Sequence, residues 1–303
     1  MWAVIDIGSN TIRLVIYTLE DGKPRSMLNK KYAAGLAGYI DQSNCISQQG
    51  INILLEVLSD ISVILSHIKT ECVLPFGTAA LRNSANGLDA AALIKERCGL
   101  DVRILSGKEE AMFDYYGALE SGIGESGLLV DVGGGSTELT FFKDKQVLSA
   151  VSIPVGSLNL YQKWVDRLLP TKKEAKRIKE DVRSFLQNLN LPQGELITQP
   201  IYSVGGTARA ALKLMKECFN LDGEGFSRSQ LKRFLANIED GRREMLSSII
   251  RSAPDRIHTI VPGLLIFQTV AKYFGSENFV TISYGVREGY LMHCLSERGN
   301  NCE

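Results

Sequence analysis

The chain opens with apolar stretches broken by short polar turns: "WAVIDIG" (2–8), "SNT", "IRLVIYTL" (12–19), "EDGK", then a third extended segment. With Asp21 and Gly22 between two apolar runs, the pattern predicts a β-hairpin. From residue 48 to 68 the period changes. Ile51, Leu54, Leu55, Leu58, Ile61, Ile64, Leu65 and Ile68 recur at helical spacing, and Ser47 stands where a helix is capped. A short strand ("CVLPFG", 72–77), helical turns to about residue 98, a strand ("VRILS", 102–106) and a helix from about residue 107 follow. The small, polar "SGIGESG" (121–127) marks a boundary between units 1–122 and 123–303. The pattern then restarts with "GLLVDVG" (127–133), "TELTFF" (137–142), a charged turn and "VLSAVSI" (147–153). Helices are expected over 157–166, 172–188, 207–219, 229–238 and 262–274, with strands over 201–204 and 278–282. Both halves read as α/β units, three antiparallel strands leading into alternating helices and strands.

The turn in the second half, "DVGGGSTE" (131–138), places three glycines inside an otherwise strand-like run. Such glycines suit a plain hairpin, or a turn whose amides approach an anion. The spacing is neither a dinucleotide fingerprint nor a P-loop. A repeat adds to this: "VIDIGSNTIRLVIY" (4–17) overlies "LVDVGGGSTELTFF" (129–142), matching Asp6 with Asp131 and Gly8 with Gly133, 125 residues apart. Duplicated turns with the same acid and glycine favour two facing phosphate loops.

Composition narrows the rest. The 303 residues carry 34 Lys plus Arg against 34 Asp plus Glu, which argues against a nucleic-acid-coating protein while permitting local basic grooves. Six cysteines without a C-x-x-C pair suit thiols in a reducing compartment better than disulfides or zinc. The start lacks a basic segment and cleavage site, and the apolar window "IVPGLLIFQTVA" is interrupted by Pro262 and Gly263. A cytoplasmic protein without membrane or nucleic-acid partners is expected. Ser106 and Glu109 fit a capping box, which leaves Glu110, one step round the helix, free to face a cleft.

Several segments together resemble the exopolyphosphatase and guanosine pentaphosphate phosphohydrolase (Ppx/GppA) family of the actin, sugar kinase and heat-shock ATPase superfamily. They are "AVIDIGSNTIRLVI" (3–16), "GTAALRNSANG" (77–87), "ILSGKEEA" (104–111), "LLVDVGGGSTEL" (128–139), "SVGGTARA" (203–210) and "VPGLLIF" with "SYGVREG" (261–267, 283–289), in the family's order along the chain. The resemblance implies an α/β fold of two duplicated ribonuclease H-like (actin-like ATPase) domains, each a mixed sheet flanked by helices, with an interdomain cleft. It implies a Mg²⁺- or Mn²⁺-dependent hydrolase of phosphoanhydride bonds acting on inorganic polyphosphate, or alternatively on pppGpp, with a homodimer as a further expectation. None of His67, His258 and His293 precedes an Asp, so the chain resembles the short form of the family without an HD domain.

By the same resemblance, Glu110 is the general base, Glu138 is a catalytic and metal-binding acid, and Asp131 and Asp6 hold metal, although a structural turn role suits Asp6 equally. Gly8, Ser9 and Asn10 from one turn, and Gly133, Gly134, Gly135, Ser136 and Thr137 from the other, would bind phosphate. Arg82 would contact phosphate through its forked guanidinium. Gly205, Gly206 and Thr207 match a nucleotide-contacting loop of superfamily kinases, or form a simple strand-to-helix turn. Arg13 alternates with Ile12 and Leu14 and reads as the outward residue of a strand. Two departures imply fewer cationic contacts: "KYAAGLAGYI" (31–40) replaces a charged family stretch, and Asn159 stands where arginine is common. An ATP-dependent kinase or a non-catalytic polyanion-binding regulator would be the competing classes. The basic run at 163–183, with Arg228, Lys232, Arg233, Arg242 and Arg243, reads as a solvated face or a track for a long polyanion.

Overall fold

In the computed structural model, residues 1–189, 200–239 and 243–300 are described; Arg242 lies outside them. The first half forms β1 (Trp2–Ile7), β2 (Ile12–Glu20), β3 (Lys23–Tyr32), α1 (Gln48–Ser66), β4 (Cys72–Gly77), α2 (Ala79–Arg82), α3 (Gly87–Cys98), β5 (Arg103–Ile104) and α4 (Gly107–Glu120). The second forms β6 (Gly127–Val132), β7 (Thr137–Lys143), β8 (Gln146–Ile153), α5 (Ser157–Trp164), α6 (Lys172–Gln187), β9 (Ile201–Val204) and α7 (Gly205–Phe219). It continues through β10 (Gly225–Ser227), α8 (Arg228–Glu239), α9 (Arg243–Ser252), α10 (Ile260–Tyr273), β11 (Asn278–Thr281) and α11 (Val286–Asn300). Two mixed sheets result, ordered β3-β2-β1-β4-β5 and β10-β11-β9-β6-β7-β8. This is the duplicated actin-like α/β arrangement that the resemblance implied.

The repeat is visible in the register. β1 pairs antiparallel with β2 and parallel with β4, as β6 does with β7 and β9. Gly8 N–H donates to the Thr11 carbonyl at 3.0 Å, and Gly133 N–H donates to Ser136 at 3.0 Å, the same turn 125 residues on. Open sheets with parallel strands bind ligands beyond the strands' carboxyl ends. Here those ends carry Asp6 and Asp131.

Packing fixes how the halves meet. Leu54, Leu58 and Ile61 of α1 bury against Ile5, Ile7 and Leu14 of the first sheet. By length and a mean hydropathy of 1.4, α1 is the described helix apolar enough to cross a membrane, rather than the 262–274 segment. Its buried face is accounted for by that core. α10 is apolar nearly all round and lies inside the second core with Val130, Leu139 and Phe141. α11, which the apolar period did not predict, returns to the first sheet, where Tyr290 and Leu291 share a cluster with Val4, Tyr17, Phe76 and Phe113. A Cβ on Gly289 would come within 1.9 Å of the Phe113 carbonyl oxygen, so glycine is what lets α11 lie directly on α4. That same interior glycine weakens the helical signal in the sequence.

The capping box at the start of α4 forms as expected. Ser106 Oγ accepts from Glu109 N–H at 3.2 Å, and Glu109 Oε2 accepts from Ser106 N–H at 2.8 Å. Burial acts to raise the Glu109 carboxyl, but hydrogen bonds from Ser106 and the Arg103 guanidinium outweigh it and hold the group below its ordinary 4.5. A lowered folded-state value means that this stabilisation is complete above the ordinary value and is lost as pH falls through the lowered one. Ser106→Ala should therefore lower stability by about 1 kcal/mol in urea unfolding. Glu109→Gln should show a smaller fall in Tm than the parent between about pH 5 and about pH 3; identical acid limbs would exclude this role.

Candidate active site

The two glycine turns face one another. Gly134 and Gly135 pack against Ser9 and Asn10 across the gap between the sheets. Around that contact lies a cleft of about 110 Å³ lined by Gly8, Ser9 and Asn10, by Gly133 to Ser136, and by Gly205, Gly206 and Thr207. Gly8 and Gly133 use their amides to close their own turns. The amides of Ser9, Asn10, Gly134 and Gly135 make no backbone hydrogen bond among the described residues, which leaves them for an anion. Gly205 to Thr207 form the first turn of α7, whose unsatisfied N–H groups and dipole also favour an anion. Gly205 has φ +86°, and a Cβ there would meet Asp131 Oδ1 at 2.1 Å, so the carboxylate rests directly on this backbone.

Some hydroxyls expected at phosphate are committed elsewhere. Thr137 is fully buried, does not line the cleft, and donates to the Val155 carbonyl at 2.5 Å. Thr207 Oγ1 donates to Val132 O at 2.6 Å and ties α7 to β6. Asn159 donates to the Gly135 carbonyl at 3.1 Å and accepts from Gly156 N–H at 2.8 Å. A side chain read from sequence as a missing arginine thus braces the glycine turn.

Several acids gather at the cleft. Asp6, Glu110, Asp114 and Asp131 line it, whereas Glu138 lies beside it, 2% exposed and accepting from Ser152 Oγ at 2.7 Å. Arg82 turns to these acids rather than to the open cleft. Its Nη1 donates to Glu110 Oε2 at 2.6 Å, and its Nη2 donates to Ser136 Oγ at 3.4 Å and approaches Glu138 at 3.8 Å. It therefore sits as a positioning group, with no phosphate-facing surface in the cleft lining. Burial raises the carboxyls of Asp6, Glu110, Asp114 and Glu138, and repulsion among these neighbours adds to it. Asp131 is pushed up to about 7 by burial first and by Glu110 next.

Arginines line the same cleft among the acids, and sequence reasoning did not assign them to it. Arg13, Arg209, Arg256 and Arg287 all line the cleft. Arg13 is not simply an outward strand residue: burial, then Arg287 and Arg209, lower it to about 10. Burial also lowers Arg209 and Arg256; in Arg287, Glu288 and Asp6 outweigh burial and raise it. Arg287 lies 3.5 Å from Asp6 Oδ2. The cleft continues into a recess of about 210 Å³ that shares Arg13, Arg209 and Arg256 and adds Lys31 and Lys213. Its acid, Asp255, is ion-paired with Lys31 across the two halves. Outside 31–40, the cations that line the cleft are Arg13, Arg209, Arg256 and Arg287. Their sequence signal was weak, since each arginine stands singly in a different element.

Asp114 was also missed, although it stands four residues after Glu110 and so on the same face of α4. It is 1% exposed, and neither carboxylate oxygen has a hydrogen-bond partner. Burial and the neighbouring Asp131, Glu138 and Glu110 carboxylates hold it well above the ordinary carboxylate range, and the nearby Val286 amide, which falls short of hydrogen-bond geometry, offsets this only in part. An orphaned carboxylate beside other acids fits a divalent cation. Among the described residues no three His, Cys, Asp or Glu side chains converge into a ready cage. Mg²⁺ does not require one, because it keeps waters and takes one or two carboxylates together with substrate phosphate oxygens.

Comparison with known proteins gives a consistent result. Residues 15–298 match the Ppx/GppA phosphatase family. Exopolyphosphatase 1 of Mycobacterium tuberculosis is 23% identical over 309 aligned residues, covering 98% of this chain and 89% of the relative. The Ppx/GppA family member of Aquifex aeolicus is 26% identical and superposes with a TM-score of 0.79, covering 98% of both chains. An exopolyphosphatase from Cytophaga hutchinsonii, 21% identical with a TM-score of 0.85 over 98% of both chains, shares the fold.

Removing Arg82 would leave Glu110 and Glu138 buried without their shared cation. Arg82→Met should cost about 3–5 kcal/mol in urea unfolding. The Arg82→Met/Glu110→Gln pair should cost less than the two single changes added together. Strict additivity would show that the pair is not coupled.

Proposed function

The chain belongs to the Ppx/GppA phosphatase family, and on that premise we propose that it is a metal-dependent exopolyphosphatase. It releases terminal orthophosphate from inorganic polyphosphate in the cleft between units 1–122 and 123–303. The observation that carries this reading is the lining: the cleft and its recess present Arg13, Lys31, Arg209, Lys213, Arg256 and Arg287, and no aromatic ring. A row of cations suits a chain of identical anionic groups, whereas a guanine base calls for a flat stacking partner. At about 110 Å³ the cleft is well below the size of organic-ligand pockets, which begin at about 300 Å³, and suits one terminal phosphate group. The described cysteines Cys45, Cys72, Cys98, Cys218 and Cys294 are thiols, which supports a cytoplasmic setting.

The terminal phosphate rests on the free amides of Ser9, Asn10, Gly134 and Gly135 and on the first turn of α7, while the arginines hold the chain behind it. Glu110, bound to Arg82 through Oε2, keeps Oε1 for a water and takes its proton as the oxygen attacks phosphorus. The anhydride P–O bond breaks, and the shortened chain leaves along the recess. Asp131 and Asp6 would hold the cation, with the unpartnered Asp114 carboxylate lining the same cleft. A bound cation would supply charge neutralisation at the phosphate oxygens and relieve the repulsion among the acids. Positioning and charge neutralisation carry most of the acceleration, as in phosphoryl transfer generally. Glu138, buried beside Arg82, supports this arrangement.

Glu110→Gln should reduce phosphate release by about 10²- to 10⁴-fold while keeping the native circular dichroism spectrum. Near-normal turnover would remove Glu110 from the mechanism. With Mg²⁺, the parent protein should release orthophosphate faster from polyphosphate than from pppGpp, and EDTA should stop both. A preference for pppGpp would reverse the substrate reading.

A further inference from the structure

A second cavity, of about 540 Å³, lies between α6, α8 and α10 in the second half. Lys179, Arg183, Arg228, Lys232 and Lys272 line it; its acid, Glu277, is ion-paired with Arg228. Arg183, Lys232 and Lys272 have no ion-pair partner among the described residues. Arg228 is balanced by Glu277, so the charge that an anion in the cavity would offset is that of Arg183, Lys232 and Lys272.

The cavity is distinct from the cleft. Gly263, near the start of α10, packs on Thr207 at the cleft. Lys272 is nine residues further along α10, about 14 Å away at 1.5 Å per residue. Glu277 precedes the amino end of β11, whereas Thr281 at the other end pairs with Ser203, next to the cleft. The two sites thus occupy opposite ends of the second sheet.

We propose that this cavity is a second binding site, for linear condensed phosphate. Among the described residues its lining includes no aromatic side chain on which a nucleobase would stack. Its walls beyond the cations are Leu235, Ala236, Ser229, Gln268 and Thr269, and Thr269 Oγ1 is already bonded to the Leu265 carbonyl. What it offers is several lysine and arginine charges spaced around an open volume, which suits a flexible polyanion. Binding here does not depend on the reaction proposed above. Its consequence for turnover does: a chain held at this site raises the local concentration of its free end at the cleft.

The test compares the parent protein with Arg183→Ser/Lys232→Ser/Lys272→Ser and with a charge-preserving Arg183→Lys/Lys232→Arg/Lys272→Arg control. Binding of long-chain sodium polyphosphate is measured by titration calorimetry in EDTA, and orthophosphate release from tripolyphosphate is measured with Mg²⁺. The serine variant should bind the long chain about tenfold more weakly, with a shallower salt dependence. It should process tripolyphosphate at the parental rate, and the control should bind like the parent. Unchanged long-chain affinity in the serine variant overturns the second site, even if phosphate release is robust. Loss of affinity in a protein that releases no phosphate supports the site and sinks the enzymatic reading instead.

Discussion

Four carboxylates and four arginines line a space between two sheets that is too small to hydrate them all, and much of the architecture answers to that crowding. Desolvation raises the acids and lowers three of the four arginines. The cleft consequently suits ligands that complement both kinds of charge, an anion at the arginines and a cation at the acids. A phosphate chain with a divalent metal provides both. Arg82 is held among these acids by its ion pair with Glu110 and its approach to Glu138.

Duplication supplies the frame, and divergence within it separates the charges. Asp6 pairs across its strands with Arg13, while the equivalent Asp131 pairs with Glu138. One hairpin thus brings a cation to the cleft and the other a buried acid. The halves are then joined by contacts distant in sequence: Tyr17 donates to Glu288 at 2.5 Å, Tyr284 donates to the Pro24 carbonyl at 2.8 Å, and Lys31 pairs with Asp255. Those contacts keep the two glycine turns facing each other.

Local signals in the sequence were enough for the hairpins, for α1 with its Ser47 cap, for the capping box of α4, and for most of the second-half helices. Those features depend on neighbours within a few residues. The helices α9 and α11 were not legible, because α9 is short and α11 carries Gly289 at a close helix crossing. Of the site, the glycine turns, Glu110 and the paired acids could be read from motifs. Arg209 and Arg287 stand inside quoted motifs but were given no role there, and Arg256 and Asp114 stand outside them; only the tertiary fold brings these four residues to one cleft. Thr137 and Thr207 show the converse: a hydroxyl beside a glycine turn reads as a ligand until its carbonyl partner is seen.

The most direct test is a crystal structure of the Glu110→Gln protein with Mg²⁺ and a methylene-bridged triphosphate that resists hydrolysis. The terminal phosphate is predicted between the two glycine turns, with the following groups along Arg209 and Arg256 and the metal on Asp131. A cleft without the analogue, or an analogue bound with its chain directed away from the arginines, would contradict the account.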